Sequence, residues 1–282
     1  MKFGAHVSIA GGVFHAPQNG VEATCDVVQI FTRNQMQWRV PPLSQQDIEK
    51  FKAEEQRTGV EVVCVHASYL INLGGFDHQK LDQSRRSFVV EMERAEALGI
   101  PYLVVHPGSH VGRGEDAGIQ RIAESLNLAL EKCPDFALKI LLETTAGQGD
   151  TLGYRFEQLG AILAKIDAPE RVGVCLDTCH LFAAGYELRS REGYEETMAQ
   201  LQAAVGVEKV GIIHANDSKR EKGSRVDRHT HIGEGELGLE AFGFFVNDPR
   251  FREVPMIIET PGGAGKDAEN LGKLRSLVKS KS

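Results

Sequence analysis

Eight short runs of mostly aliphatic, often β-branched residues recur along the chain, and segments with helical spacing separate them. The runs are Lys2 to His6, Val27 to Phe31, Glu61 to His66, Tyr102 to His106, Lys139 to Glu143, Val172 to Asp177, Lys209 to His214 and Met256 to Glu259. Continuous apolar character, as in Val62-Val63-Cys64-Val65, is expected of strands covered on both faces, which a parallel sheet requires. Between the runs, Ser44-x-x-Asp47 resembles a capping box ahead of Ile48 and Phe51. Phe88, Met92, Ala95 and Leu98 form an apolar stripe closed by Gly99. Two further stripes are Ile119, Ile122, Leu126 and Leu130, and then Phe156, Leu159, Ile162, Leu163 and Ile166.

Eight strands alternating with helices in 282 residues predict an α/β fold of the (β/α)8 TIM-barrel type. A doubly wound open sheet would show the same alternation, because counting strands does not prove closure. No Pro/Gly/Ser-rich linker or charge block divides the chain, so residues 1–282 are expected to form one domain, with about 279–282 as a frayed tail. No apolar run reaches the roughly 18 residues that span a bilayer, and no secretory signal pattern opens the chain. A cytoplasmic, membrane-free monomer is the expectation. The five cysteines are odd in number and form no Cys-x-x-Cys pair, which argues against disulfides and against a thiolate zinc site.

The chemistry is expected at the ends of the strands. Five runs end in His66, His106, Glu143, Asp177 and His214, and the eighth ends in Glu259. Barrel enzymes place their sites at the carboxyl ends of the strands. One such histidine would ordinarily be a rim residue, but six ionisable groups around one mouth need compensation that divalent cations supply. Mixed imidazole and carboxylate donors suit zinc, manganese or iron better than calcium. Two more pairs follow the sixth and seventh strands. Asp177-Thr178-Cys179-His180 puts a second ligand type three residues after the first, and Asp227-Arg228-His229 has the i, i+2 spacing that aims both side chains one way in extended backbone. Five histidines and four acidic residues are about enough for three metals if one carboxylate bridges, and clustered metals suit phosphoryl chemistry.

Several segments resemble the endonuclease IV family of abasic-site endonucleases over essentially the whole length. They include Gly4-Ala5-His6-Val7-Ser8, Phe31-Thr32-Arg33-Asn34-Gln35 with Gln37-Trp38, and His66-Ala67-Ser68-Tyr69-Leu70-Ile71-Asn72-Leu73. Others are His106-Pro107-Gly108-Ser109-His110, Glu143-Thr144-Thr145-Ala146-Gly147, Asp177-Thr178-Cys179-His180, and Asp227-Arg228-His229 followed by Gly233-Glu234-Gly235. The resemblance implies a TIM barrel with three Zn2+ ions, Mn2+ or Fe2+ sometimes substituting. It implies one metal on His66, His106 and Glu143, a second on Glu143, Asp177, His214 and Glu259, and a third on His180, Asp227 and His229. Glu143 and Glu259 are the expected catalytic carboxylates. The implied activity is hydrolysis of the phosphodiester 5′ to an abasic site in duplex DNA, leaving a 3′-hydroxyl and a 5′-deoxyribose phosphate, together with 3′-end trimming.

The resemblance also implies the DNA contacts. Tyr69 and Leu70 match a segment that enters the base stack, where an apolar wedge trades unstacking energy for a bent duplex. Asn34 and Gln37 match a loop that enters the minor groove. Between the glutamines, where some members carry an arginine, this chain has Met36, which fills a gap but contacts neither phosphate nor base edge. Lys219, Arg220, Lys222, Arg225 and Arg228 make a local basic cluster, with Arg225 and Arg228 as expected phosphate contacts, in a chain whose net charge is −7. That charge argues mildly against a protein that coats nucleic acid. His231 either replaces or supports His229, and the family match selects His229; His6 and His110 read as rim residues or as outer supports of the ligands. The rival reading is a sugar isomerase or epimerase on a related barrel, which needs neither a third metal nor wedge loops. A damage-binding protein without catalysis would keep the loops and lose the ligands.

Overall fold

In the computed structural model, which describes residues 1–279, eight parallel strands close into a barrel. They are β1 (Phe3–His6), β2 (Val27–Ile30), β3 (Glu61–His66), β4 (Tyr102–Val105), β5 (Lys139–Glu143), β6 (Val172–Asp177), β7 (Val210–His214) and β8 (Met256–Ile258). Each strand pairs with its neighbours in the chain, and β1 closes the ring on β8 through Phe3 opposite Met256, Gly4 opposite Ile257 and Ala5 opposite Ile258. That pairing decides against an open sheet. The closing strand runs so near β2 that a Cβ on Gly4 would lie 1.8 Å from the Val27 carbonyl oxygen, so this position admits glycine only.

Helices cover the outside: α1 (Ala16–Glu22), α2 (Gln45–Thr58), α3 (His78–Leu98), α4 (Glu115–Lys132), α5 (Phe156–Leu163), α6 (Thr178–Ala184), α7 (Arg191–Ala204), α8 (Gly238–Val246) and α9 (Ala264–Ser276). Ser44 caps α2 by accepting from the Asp47 amide, and α3 stops at Gly99 in the left-handed region, φ 78°. Helix α5 stops at Leu163, short of Ile166, which is nevertheless buried in the core. Lys279, expected to fray, donates its amide to Asn247 Oδ1 at 2.8 Å; the rest of the expected tail lies outside the described residues. No helix among the described residues is long and apolar enough to cross a membrane.

The barrel has two apolar layers. The larger lies between strands and helices, and the smaller fills the barrel interior with Val27, Cys64, Val104, Leu141, Cys175, Ile212 and Ile257. Successive side chains of a strand point to opposite faces, so the residue two positions on from each interior member faces inward again, nearer the carboxyl end. Those residues are Gln29, His66, His106, Glu143, Asp177, His214 and Glu259, and Gly4 leads in the same way to His6. Packed apolar side chains thus form the floor beneath a polar mouth.

Candidate metal centre

His66, Glu143, Asp177 and His214 are the last residues of their strands, whereas His106 and Glu259 fall one residue past β4 and β8. Glu143 is central and fully buried. Its Oε2 lies 3.0 Å from His66 Nε2 and 3.3 Å from His106 Nε2, and its Oε1 lies 3.1 Å from His214 Nδ1 and 3.3 Å from His180 Nδ1. Each carboxylate oxygen therefore faces a different pair of imidazoles, as a bridging carboxylate must. Helix α6 begins directly at the end of β6, where Asp177 caps it by accepting from the His180 amide at 2.7 Å, and this tight turn brings His180 into the same mouth.

Asp227 and His229 arrive on the loop after β7. A two-residue ribbon, Asp217–Ser218 against His229–Thr230, holds that loop at its base. The buried Asp217 carboxylate accepts from the amides of Ser218, Gly233, Gly235 and Leu237, so one side chain closes a loop of about twenty residues. A Cβ at Gly235 would lie 2.3 Å from the Ser218 carbonyl oxygen. His231 points away and meets Asn270 Nδ2 at 3.0 Å, so His229 is the residue that joins the cluster.

The donor atoms fall into groups whose members lie within 4.8 Å of one another: His66, His106 and Glu143; Glu143, Asp177, His214 and Glu259, sharing Glu143 with the first; and His180, Asp227 and His229. All nine positions expected to bind metal are in these sets. A further grouping of Asp177, Cys179 and His229 brings in a thiol that sequence reasoning set aside. Burial pushes the Cys179 thiol up to about 12, and its Sγ lies 3.8 Å from the Arg228 carbonyl oxygen, so it behaves as a buried thiol.

Ring orientations fit cation binding. His66 Nδ1 donates to the Ala67 carbonyl at 2.8 Å, His180 Nδ1 to the Thr144 carbonyl at 2.8 Å, and His214 Nε2 to Gln29 Oε1 at 2.8 Å. Each bond fixes a tautomer that turns the other ring nitrogen toward carboxylates, the usual outer support of metal-binding histidines. His180 Nε2 and His229 Nε2 are buried without a hydrogen-bond partner, although Asp227 oxygens lie 3.2 and 3.3 Å away. A buried nitrogen facing a carboxylate without hydrogen-bonding geometry is what a shared cation leaves between its ligands. Burial opposes charge on Glu143, but the surrounding imidazoles outweigh it and hold the carboxyl well below its usual range. Asp227 is brought down to about 2, burial again being overcome, here by His180 and His229.

Supporting side chains that sequence reasoning missed complete the mouth. Gln29, fully buried, donates to Glu259 Oε1 at 2.7 Å while accepting from His214. Asn216, also fully buried, donates to Asp177 Oδ2 at 2.7 Å and accepts from the Glu259 amide at 2.7 Å. His6, expected at the rim or as an outer support, sits 3.5 Å from Glu259 Oε1, the supporting position of the two. The two-residue period from Val27 was the available signal for Gln29; Asn216, two residues past β7, had none.

Two exposed loops flank the mouth. Tyr69 is 58% exposed, its ring 5.2 Å from that of His66 and 5.9 Å from that of His106. Tyr69 lines a cavity of about 270 Å3 together with His66, His106 and His180, and Leu70 lines one of about 500 Å3 with Trp38 and Phe76. Asn34, Met36 and Gln37 are exposed on the second loop, where the Asn34 side chain accepts from the Met36 amide at 2.9 Å. Arg225 and Arg228 are exposed on the loop after β7. The Arg225 guanidinium stands 4.9 Å from the Tyr154 ring, and Arg228 donates to its own loop at the Asp227 carbonyl. Lys222 is engaged by Glu187 at 3.0 Å, so the basic cluster is only partly free. His110 accepts from the Gly114 amide at 3.2 Å and belongs to no metal group.

A closed parallel barrel with clustered imidazole and carboxylate donors at its carboxyl-end mouth defines a metal-dependent barrel enzyme. Residues 18–279 match the model of the Xylose isomerase-like TIM barrel family. The protein called Probable endonuclease 4 from Chloroflexus aurantiacus is 50% identical over 279 residues, 98% of each chain, and that of a Geobacter species is 49% identical over 277 residues, again 98% of each. Among solved structures, endonuclease IV from Thermus thermophilus superposes with a TM-score of 0.87 at 37% identity over 98% of both chains. A D-tagatose 3-epimerase-like protein, 23% identical with a TM-score of 0.76, shares the fold. The chain belongs to the endonuclease IV family.

Proposed function

We propose that this protein is a DNA-repair endonuclease that hydrolyses the phosphodiester 5′ to abasic sites in duplex DNA, leaving a 3′-hydroxyl and a 5′-deoxyribose phosphate. The observation that carries this reading is the third donor group, His180, Asp227 and His229, joined to the other two at one mouth beside an exposed aromatic turn. Sugar isomerisation requires neither feature.

The residues that would hold the cations are His66, His106 and Glu143; Glu143, Asp177, His214 and Glu259; and His180, Asp227 and His229. Three Zn2+, with Mn2+ or Fe2+ able to substitute, suit these donors. When bound, such cations supply an activated water and neutralise charge on a phosphoryl group undergoing in-line displacement. The chain's own carboxylates would otherwise repel a phosphodiester from this mouth. Glu143 holds two imidazole pairs in place through its two oxygens, and Glu259, steadied by Gln29 and Asn216, shares His214 with it. Tyr69 and Leu70 fill the stack where the abasic sugar leaves it, Asn34 and Gln37 enter the minor groove, and Arg225 and Arg228 meet backbone phosphates. Trimming of blocked 3′ ends uses the same site. The enzyme acts as an intracellular monomer.

The deciding experiment incubates the zinc-loaded protein with a duplex carrying one tetrahydrofuran abasic analogue and maps the ends. Single-strand incision immediately 5′ to the lesion is expected. An uncut duplex combined with turnover of a ketose or aldose would overturn the reading.

A further inference from the structure

Glu91 sits on the inward face of α3, 1% exposed, and none of the metal groups includes it. Its partner is Arg33, whose Nε donates to Glu91 Oε1 at 2.6 Å with both side chains 1% exposed. Placing two charges there is costly, and a buried pair is retained at a net benefit only where further bonds exploit it. The bonds here are specific. Thr32 Oγ1 donates to Glu91 Oε2 at 3.0 Å, and the Ser68 amide donates to Glu91 Oε1 at 3.3 Å. Arg33 donates three more bonds, to Ser87 Oγ at 2.6 Å and to the carbonyls of Gln37 and Trp38 at 3.1 and 3.2 Å.

Thr32 and Arg33 begin the loop that carries Asn34 to Trp38, and Ser68 begins the turn that carries Tyr69 and Leu70. The two loops are also joined directly, since Ser68 Oγ donates to the Gln35 carbonyl at 2.6 Å and accepts from the Leu70 amide at 3.3 Å. One buried carboxylate therefore grips the roots of both loops, and its guanidinium partner grips the far end of one of them.

We propose that the Glu91–Arg33 pair is a positioning device that locks the two lesion-probing loops into a single preformed unit, so that an abasic duplex is met without first ordering them. The inference rests on the endonuclease reading above. Preorganisation of this kind lowers the cost of binding rather than the barrier of the chemical step. Loosening the lock raises KM for duplex substrate and leaves the turnover of bound substrate and the metal content nearly as they were.

The test compares the full-length zinc-loaded enzyme with Glu91→Gln and with Ser68→Ala, the latter removing the loop-to-loop bond without touching the buried charges. Trp38, the single tryptophan and 37% exposed, reports loop order through its emission and anisotropy. For Glu91→Gln the expected results are a KM for the tetrahydrofuran duplex raised by about tenfold, a kcat within about twofold, unchanged zinc content, and a red-shifted, less anisotropic Trp38 signal. Ser68→Ala is expected to move KM and Trp38 in the same direction by about threefold and a smaller shift respectively. If Glu91→Gln does not fold, Ser68→Ala alone decides. Wild-type KM and Trp38 spectrum in a folded, zinc-replete variant overturn the inference, and so does a loss confined to kcat. An inactive wild type would instead refute the endonuclease reading.

Discussion

Asn216 ties together the two strands that flank its own, its Nδ2 donating to Asp177 Oδ2 at 2.7 Å while its Oδ1 accepts from the Glu259 amide at 2.7 Å. One neutral side chain just after β7 thus sets the positions of two carboxylate donors on β6 and just past β8. Outer-sphere partners of metal ligands are commonly worth 10- to 100-fold in affinity. Asn216→Ala is expected to lower zinc affinity by about that factor, read as zinc retained during dialysis against graded chelator, with the far-ultraviolet spectrum unchanged.

Glu143 is the residue whose loss no neighbour can cover, because both its oxygens are engaged by imidazole pairs. Glu143→Gln is expected to lower metal content and to reduce incision by at least about a hundredfold to a thousandfold. Chelation of the wild type should abolish incision and added Zn2+ should restore it, whereas zinc should not rescue the variant. Wild-type incision by Glu143→Gln would contradict its placement at the centre of the site.

Met36 is uncharged and 70% exposed on its loop. Met36→Arg is expected to tighten binding to an abasic duplex at low salt and to steepen the plot of log affinity against log salt by about 0.9, one additional phosphate neutralised. Binding titrations at several salt concentrations measure this. An unchanged slope would place Met36 away from the phosphates.

Tyr69→Ala is expected to weaken abasic-duplex binding by about 1 to 3 kcal/mol, the range for an aromatic stacked in nucleic acid, with zinc content retained. Equilibrium binding with an uncleavable duplex checks it. Because the Tyr69 ring lies 5.2 Å from that of His66, loss of zinc in this variant would show that its main part is to shield the ligands.

At the amino-terminal side of the barrel, Tyr194 Oη donates to Asp248 Oδ2 at 2.7 Å, and Arg250 donates to both Asp248 oxygens. Burial favours the neutral acid, but these donors outweigh it and lower the Asp248 pKa. A carboxyl lowered on folding contributes stability that is fully present above its unfolded value of about 3.9 and is lost as pH falls through the lower folded value. The stability advantage of wild type over Asp248→Asn, from urea unfolding of both proteins in chelator, should therefore be full at neutral pH and shrink below about pH 4. Tyr194→Phe should cost about 1 kcal/mol at neutral pH.

Much of the barrel and most of its mouth were legible because they are local. Apolar runs, helix caps such as Ser44 and stops such as Gly99 act within a few residues, and a strand's two-residue period turns one inward side chain into a prediction for the next. The same period puts Gln29 on the inward face of Val27, but an amide carries no conspicuous metal preference, so nothing in the sequence marks it as part of the site. The choice of His229 over His231 rested on resemblance at the sequence level, and the structure separates them by the partner each one faces.

The sequence by itself determined which segments are strands and which ionisable side chains stand at their carboxyl ends, since backbone sterics and side-chain alternation operate along the chain. Tertiary structure decided what depends on distant segments meeting: closure of β1 on β8, the four imidazoles converging on Glu143, and Asn216 tying Asp177 to Glu259. It also decided that Arg33 pairs with Glu91 across 58 residues. Such contacts are set by strand stagger and helix packing in three dimensions, for which a single sequence carries no local periodic signal.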